Sequence, residues 1–241
     1  MKITVDHQLF DEITGLCIGV VALRAIDNRD VNLEAEAFRR RCCTEANLLL
    51  KMNPAMAEPE IERYQKVLDR LHLTGETALA RTFKEYKKSL GLSEKEEASD
   101  EMELLAAPKT ATLDELAGSD MLARENPISD IIRSAMLKFH VEIHGYDMKD
   151  RKTPLAIEKT DDDILVSLGD EVLAKSWFTE AAPVIGKDTE DVLILITGFA
   201  PNRKKVAAAR NELARRIKSA FDRAVEVGWL EGDDTAFETD I

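Results

Sequence analysis

The sequence predicts an α+β fold: a layered β-sheet domain with packed helices and a long C-terminal helix. Three observations predict it. CIGVVALRAI (17–26) and DVLILITGF (191–199) are apolar runs rich in β-branched residues, as in strands buried on both faces. Between them lie segments with helical spacing of apolar residues. Near the end, Val206, Ala209, Leu213, Ile217, Phe221 and Ala224 form one apolar stripe, which predicts a helix from Pro201-Asn202 to about Val227.

The elements follow in order. DNRD (27–30) is a turn or cap after the first buried strand. Residues 31–51 read as a helix with Leu33, Ala37, Phe38, Ala46 and Leu49 inward, ended by NPAMAEPE with its two prolines. Residues 61–73 and 77–90 read as two more helices, separated by Thr74-Gly75. SEKEEASDEMELLAAPKTAT (93–112) is acidic and reads as a surface segment or insertion, with a short helix at 114–122 after it. Asn126-Pro127 starts a helix, because proline fits the first helical position. Ile128, Ile131, Ile132, Ala135, Met136 and Phe139 would be its inner face. PLAIEK, DDILVSL and EVLAKSWF read as an antiparallel meander, and the tail EGDDTAFETDI as loose. The expected organisation is one domain over 1–241, with a divergent helical insertion at about 52–118 and a loose acidic tail at about 230–241.

Composition bounds the function. Acidic residues number 46 against 33 basic ones, a formal charge of −13, which argues against indiscriminate nucleic-acid binding but allows a local basic face. Such a face exists on the last helix: Arg203, Lys204, Lys205 and Arg210 are candidates for RNA phosphate contacts, and a solvated face with intrahelical pairs is the alternative. No apolar run reaches the ~20 residues that span a bilayer, and MKITVDHQLF lacks the apolar core of a secretory signal, so the expected compartment is the cytoplasm. Cys17 reads as a small core residue; of the adjacent Cys42 and Cys43, at most one is expected to face inward.

HVEIHGYDMKD (140–150) holds two of the four histidines. On an extended chain His140, Glu142 and His144 would share a face, but the spacing is not His-Glu-x-x-His and no fourth ligand is near, so no metal is expected. His140 reads as a helix end that welcomes a partly positive imidazole. GxGxxG, GxxxxGK[ST] and GxSxG are all absent, so no nucleotide cofactor is expected.

Several segments together resemble the B3/B4 domain, the tRNA-editing domain of the phenylalanyl-tRNA synthetase beta subunit, and its freestanding relatives. GLCIGVVALRAIDNRD resembles their opening strand and "gldNR" turn, and FKEYKKSLGL their "reayrklGl" helix. NPISDIIRSAML resembles "NPIVDLYNAVSL", IHGYDMKDR resembles "MHAFDLDRI", and KDTEDVLILITG resembles "DETKNVLLVIEG". The likeness spans about 15–217, with 51–118 poorly matched.

The resemblance implies hydrolysis of a misacylated aminoacyl-tRNA ester in trans, a second sieve of editing. It implies tRNA as partner and no cofactor or metal. His144 falls on the pocket histidine and Glu180 within one place of the editing-site glutamate, so both are the candidate catalytic residues. Gly145, Tyr146, Asp147, Arg133, Ser134 and Trp177 are candidate substrate-binding residues: Gly145 or Gly186 as an oxyanion amide, Tyr146 or Trp177 as a stacking ring for the 3′-adenosine, and Asp147 as loop support. Two departures stand out. Arg133-Ser134 replaces the family's asparagine region, and Lys175-Ser176-Trp177-Phe178 replaces a glycine-rich run. A non-catalytic tRNA- or RNA-binding module and a small-ligand (amino acid or nucleotide) binding protein are the alternative readings. The oligomeric state stays open.

Overall fold

The computed structural model describes residues 1–92, 121–149, 152–161, 163–179 and 185–240. The fold is mixed α+β, with two sheets and six α-helices among those residues. The acidic stretch 93–112 and all but the last two residues of the predicted helix at 114–122 lie outside the described residues.

The buried run at the start of the chain forms β2 (Cys17–Leu23), and DVLILITGF forms β7 (Val192–Gly198). Every residue of both strands is buried, which explains runs without polar alternation. They pair antiparallel at the centre of a four-stranded sheet, flanked by β3 (Glu142–Asp147) on one edge and β8 (Val225–Leu230) on the other. The meander is β4 (Leu155–Lys159), β5 (Ile164–Leu168) and β6 (Glu171–Ala174). It belongs to a second, five-stranded sheet in which β1 (Lys2–Val5) pairs parallel to β4 and antiparallel to β9 (Ala236–Glu238). The segment read as a loose tail is therefore built in: Thr239 accepts the Met1 ammonium at 2.6 Å, and Phe237 occupies the space left by Gly228 of β8.

After β1, the short α1 (His7–Glu12) leads into the turn before β2. The helices α2 (Leu33–Met52), α5 (Pro127–Phe139) and α6 (Arg203–Phe221) pack on one another and on the four-stranded sheet. Sheltered this way, α2 buries both Cys42 and Cys43, and its inward set is Ala35, Phe38, Ala46 and Leu50. The expected inward Leu33 and Leu49 are exposed instead. The last helix ends earlier than its apolar stripe suggests. Asp222 adopts a left-handed conformation (φ 50°) that closes α6, and the chain turns into β8. Two further helices, α3 (Glu58–Arg70) and α4 (Ala78–Ser89), come from the region read as an insertion.

Candidate functional site

The site is built around β3, an edge strand of the four-stranded sheet. Successive side chains on a strand point to opposite faces. A Cβ on Gly145 would stand 2.8 Å from Ile132 Cδ1 and 2.4 Å from Ile185 Cδ1, so Gly145 faces α5 and the 185 loop. Glu142, His144 and Tyr146 then share the other face. His140 does not join them. It caps α5 in the left-handed region (φ 54°), and its ring meets Phe83 edge-on at 5.3 Å. The three-residue face read from His140, Glu142 and His144 is thereby broken. Burial, followed by the charge of Lys205, pushes the His140 imidazole below its ordinary value, so the expected partly positive ring is replaced by a neutral one.

Glu142 is fully buried, and its carboxylate accepts the amides of Ala78 (2.8 Å) and Leu79 (2.9 Å). These are the first free N–H groups of α4; Thr77 Oγ1 takes the next, Ala80, at 3.2 Å. A strand glutamate therefore anchors the positive end of a helix. Its Oε1 also stands 2.8 Å from His144 Nε2. By angle the contact is an ion-pair approach rather than a hydrogen bond, and Nε2 has no hydrogen-bond partner among the described residues. Tyr146 lies 6.4 Å from the His144 ring, centroid to centroid.

A cleft of about 260 Å³ opens along the edge of β3 between α4 and α5. Ile143, His144 and Gly145 of β3 border it; Arg81 and Glu85 stand on one wall, Ser129, Ile132 and Arg133 on the other, and Ile185 closes one end. Arg133 is held between two carboxylates, Glu125 at 2.5 Å and Glu85 at 2.9 Å. Arg81 donates to the carbonyl oxygens of Glu76 (2.9 Å) and Thr179 (2.6 Å).

The 185 end is fixed by a chain of hydrogen bonds that joins four distant segments. Asn28 Nδ2 donates to Asn126 Oδ1 (2.9 Å) and to the Gly186 carbonyl (2.8 Å), while its Oδ1 accepts the Ile128 amide (3.1 Å). Asn126 Nδ2 donates to the Ile185 carbonyl at 2.7 Å. Thr189 Oγ1 accepts the Gly186 amide (3.0 Å) and donates to Asp147 Oδ2 (2.8 Å). The asparagines of DNRD and NPISD, the aspartate of IHGYD and the threonine of KDTED thus meet at one place.

Not every residue picked from the sequence reaches the cleft. Arg133, His144 and Gly145 line it, and Asp147 braces the loop at its end. Ser134 is fully buried in the helix packing, with its hydroxyl unpartnered. Tyr146 and Trp177 are 1 % exposed, and Trp177 packs on Phe178 at 4.6 Å, so neither ring offers a free face for a base. Gly186 has spent its amide on Thr189. Glu180 lies outside the described residues.

The basic face of α6 is largely paired. Lys205 meets Glu60 (2.7 Å), Arg203 meets Glu231 (2.5 Å), and Arg216 meets Glu34 (2.8 Å). Arg210 donates to the Gly228 carbonyl at 3.1 Å, and its guanidinium lies over the Trp229 ring, as does that of Arg203. Lys204 is exposed. Acids from α3, α2 and the turn after β8 supply the counter-charges, which no count along α6 itself could show.

Sequence reasoning missed Glu142 as the partner of His144 and missed Asn28 as the node of the 185 loop. The period-2 spacing in HVEIH was the signal for the first. No family model matches the chain, and no curated protein matches it either.

Proposed function

We propose that this chain hydrolyses the ester of a misacylated aminoacyl-tRNA in trans, with the β3 cleft as the aminoacyl pocket. The observation that carries the reading is the position of His144. The residue that the B3/B4 resemblance marks as the pocket histidine lines a cleft, backed by a buried carboxylate 2.8 Å away. Around it, the segments that carry the resemblance converge on the 185 loop. In this reading Glu85 or Glu125 holds the substrate α-ammonium, Arg133 is released to the phosphate of the terminal adenosine, and His144 orients the attacking water. An aminoacyl ester is already activated, so little more is needed than an oriented water and a place for the oxyanion.

A second reading is favoured by a specific observation. The side chains of His144 and Glu142 are 3 % and 0 % exposed, as in a structural strut. On that reading the fold binds the aminoacyl end, or a free amino acid or nucleotide, without hydrolysis.

Deacylation of a panel of mischarged tRNAs separates the two. Trans-editing requires that at least one be hydrolysed, and that His144→Ala lower the rate by about 10²- to 10⁴-fold while tRNA binding persists. Binding without hydrolysis across the panel selects the second reading. No tRNA binding even at low salt, where phosphate contacts are strongest, defeats the RNA readings altogether.

A further inference from the structure

A second cleft, of about 360 Å³, lies between α1, α3 and the turn after β7, and shares no residue with the β3 cleft. Its volume falls within the range of small-molecule sites. The floor is apolar: Ile13 and Phe199 are buried, and Leu71 is partly so. Along one wall α3 presents Arg63, Lys66 and Arg70, spaced so that all three fall on one helix face. We infer that this cleft binds a small amphipathic anion, with an apolar acyl or aryl body on Ile13, Leu71 and Phe199 and a carboxylate or phosphate head at the α3 cations.

The charge balance points to an anion. Arg63 pairs with Glu60 at 3.1 Å, but Glu60 also serves Lys205 at 2.7 Å, so one carboxylate faces two cations. Lys66 meets Glu62 at 3.5 Å with both side chains about two-thirds exposed (69 % and 66 %), a pair of little strength. Glu12, the one acid on the lining, is engaged by Lys159. Arg70 has no ion-pair partner among the described residues. On a chain of net charge −13 this is a local cationic excess beside an apolar cleft floor. A guanidinium fork suits a carboxylate or a phosphate equally well.

The walls are pre-formed. Gly15 turns the chain at φ +72° and fits against Ala200 so closely that a Cβ would stand 2.7 Å from the alanine methyl. Pro59 and Pro201 stiffen opposite rims. Little ordering is therefore left for a ligand to impose.

Isothermal titration of the full chain with octanoate and with octyl phosphate tests the inference, with 1-octanol and inorganic phosphate as half-ligands. Saturable binding of one or both amphiphiles is expected, and which binds tighter identifies the head group. Neither half-ligand should compete at equal concentration. Arg70→Glu should weaken binding at least tenfold while the chain still melts cooperatively, because the Arg70 side chain has no hydrogen-bond or ion-pair partner among the described residues and only its favourable charge in the last turn of α3 is lost. Lys218→Glu, an exposed reversal on α6, should leave binding unchanged. Equal binding of octanol, equal losses in the two variants, or no saturable binding of either amphiphile overturns the inference. None of these outcomes depends on tRNA hydrolysis.

Discussion

The carboxylate of Glu142 stands 2.8 Å from Nε2 of His144, two residues along the same strand, and both side chains are shut away from solvent. The same carboxylate holds the first two amides of α4. Glu142→Ala would strand two backbone donors and leave the buried imidazole without its acid. Each unsatisfied buried donor costs about 1–3 kcal/mol, so a loss of about 3 kcal/mol or more is expected in urea denaturation. Glu142→Gln keeps one acceptor oxygen and should lose about half as much. Equal stability of wild type and the alanine variant would show that α4 is anchored elsewhere.

Asn28 is the node that ties the β2–α2 turn to the start of α5 and to the 185 loop. Asn28→Ala removes three hydrogen bonds from a buried position, with an expected cost of about 2–4 kcal/mol. The effect should be local as well as global. Amide exchange at Gly186 and Thr189 should accelerate more than in β2 or β7, because the loop loses its anchor while the central strands keep their ladder. Uniform acceleration would contradict the assigned role.

Gly145 tests the cleft directly. Gly145→Ala places a methyl against the tips of Ile132 and Ile185, both able to rotate away, so stability should fall by no more than about 1–3 kcal/mol. The displaced Ile185 side chain would narrow the cleft. Hydrolysis or binding at this site should fall further than stability does, read as a change in KM at a temperature where the variant stays folded.

The central strands, α5 and the meander were legible in the sequence because each carries its own period: continuous apolar runs, the Asn126-Pro127 start, and short β-branched segments between polar turns. The strand β8 was hidden because Phe221 and Ala224 continue the helical stripe, and the stop falls on a left-handed aspartate rather than a glycine. β1 and β9 are short, and they pair at opposite ends of the chain. The site was half legible. The alternation in HVEIH places Glu142 beside His144 within the strand itself. Asn28 finds Asn126 across 98 positions, and Tyr64 accepts the Glu142 amide across 78. No local pattern records such pairs. Cys42 and Cys43 are both buried because α2 is covered by α5 and α6 together, a fact of packing rather than periodicity.

The pH dependence of stability should show two separate windows. Burial raises the Glu36 carboxyl, but hydrogen bonds from Arg124, Arg40 and Arg39 outweigh it and hold the group at about 2, against an ordinary 4.5. A folded value below the unfolded one means that the native state holds fewer protons than the unfolded chain between those values. The stabilisation is complete above 4.5 and is lost as pH falls towards about 2. His140 acts in a higher window. Its folded value lies below 6.5, so the unfolded chain takes up the proton first, and stability declines as pH drops below 6.5 until the folded ring also titrates. His140→Asn keeps a residue tolerant of the left-handed cap and removes the titration. Its urea midpoint should therefore be flatter than wild type just below pH 6.5, yet fall in parallel with it under acid conditions. Glu36→Gln should do the reverse, matching wild type's slope near neutrality and flattening the acid limb below 4.5. If both variants kept the wild-type profile, neither group would be linked to folding, and the three-arginine cluster around Glu36 would have to be read as solvated charge.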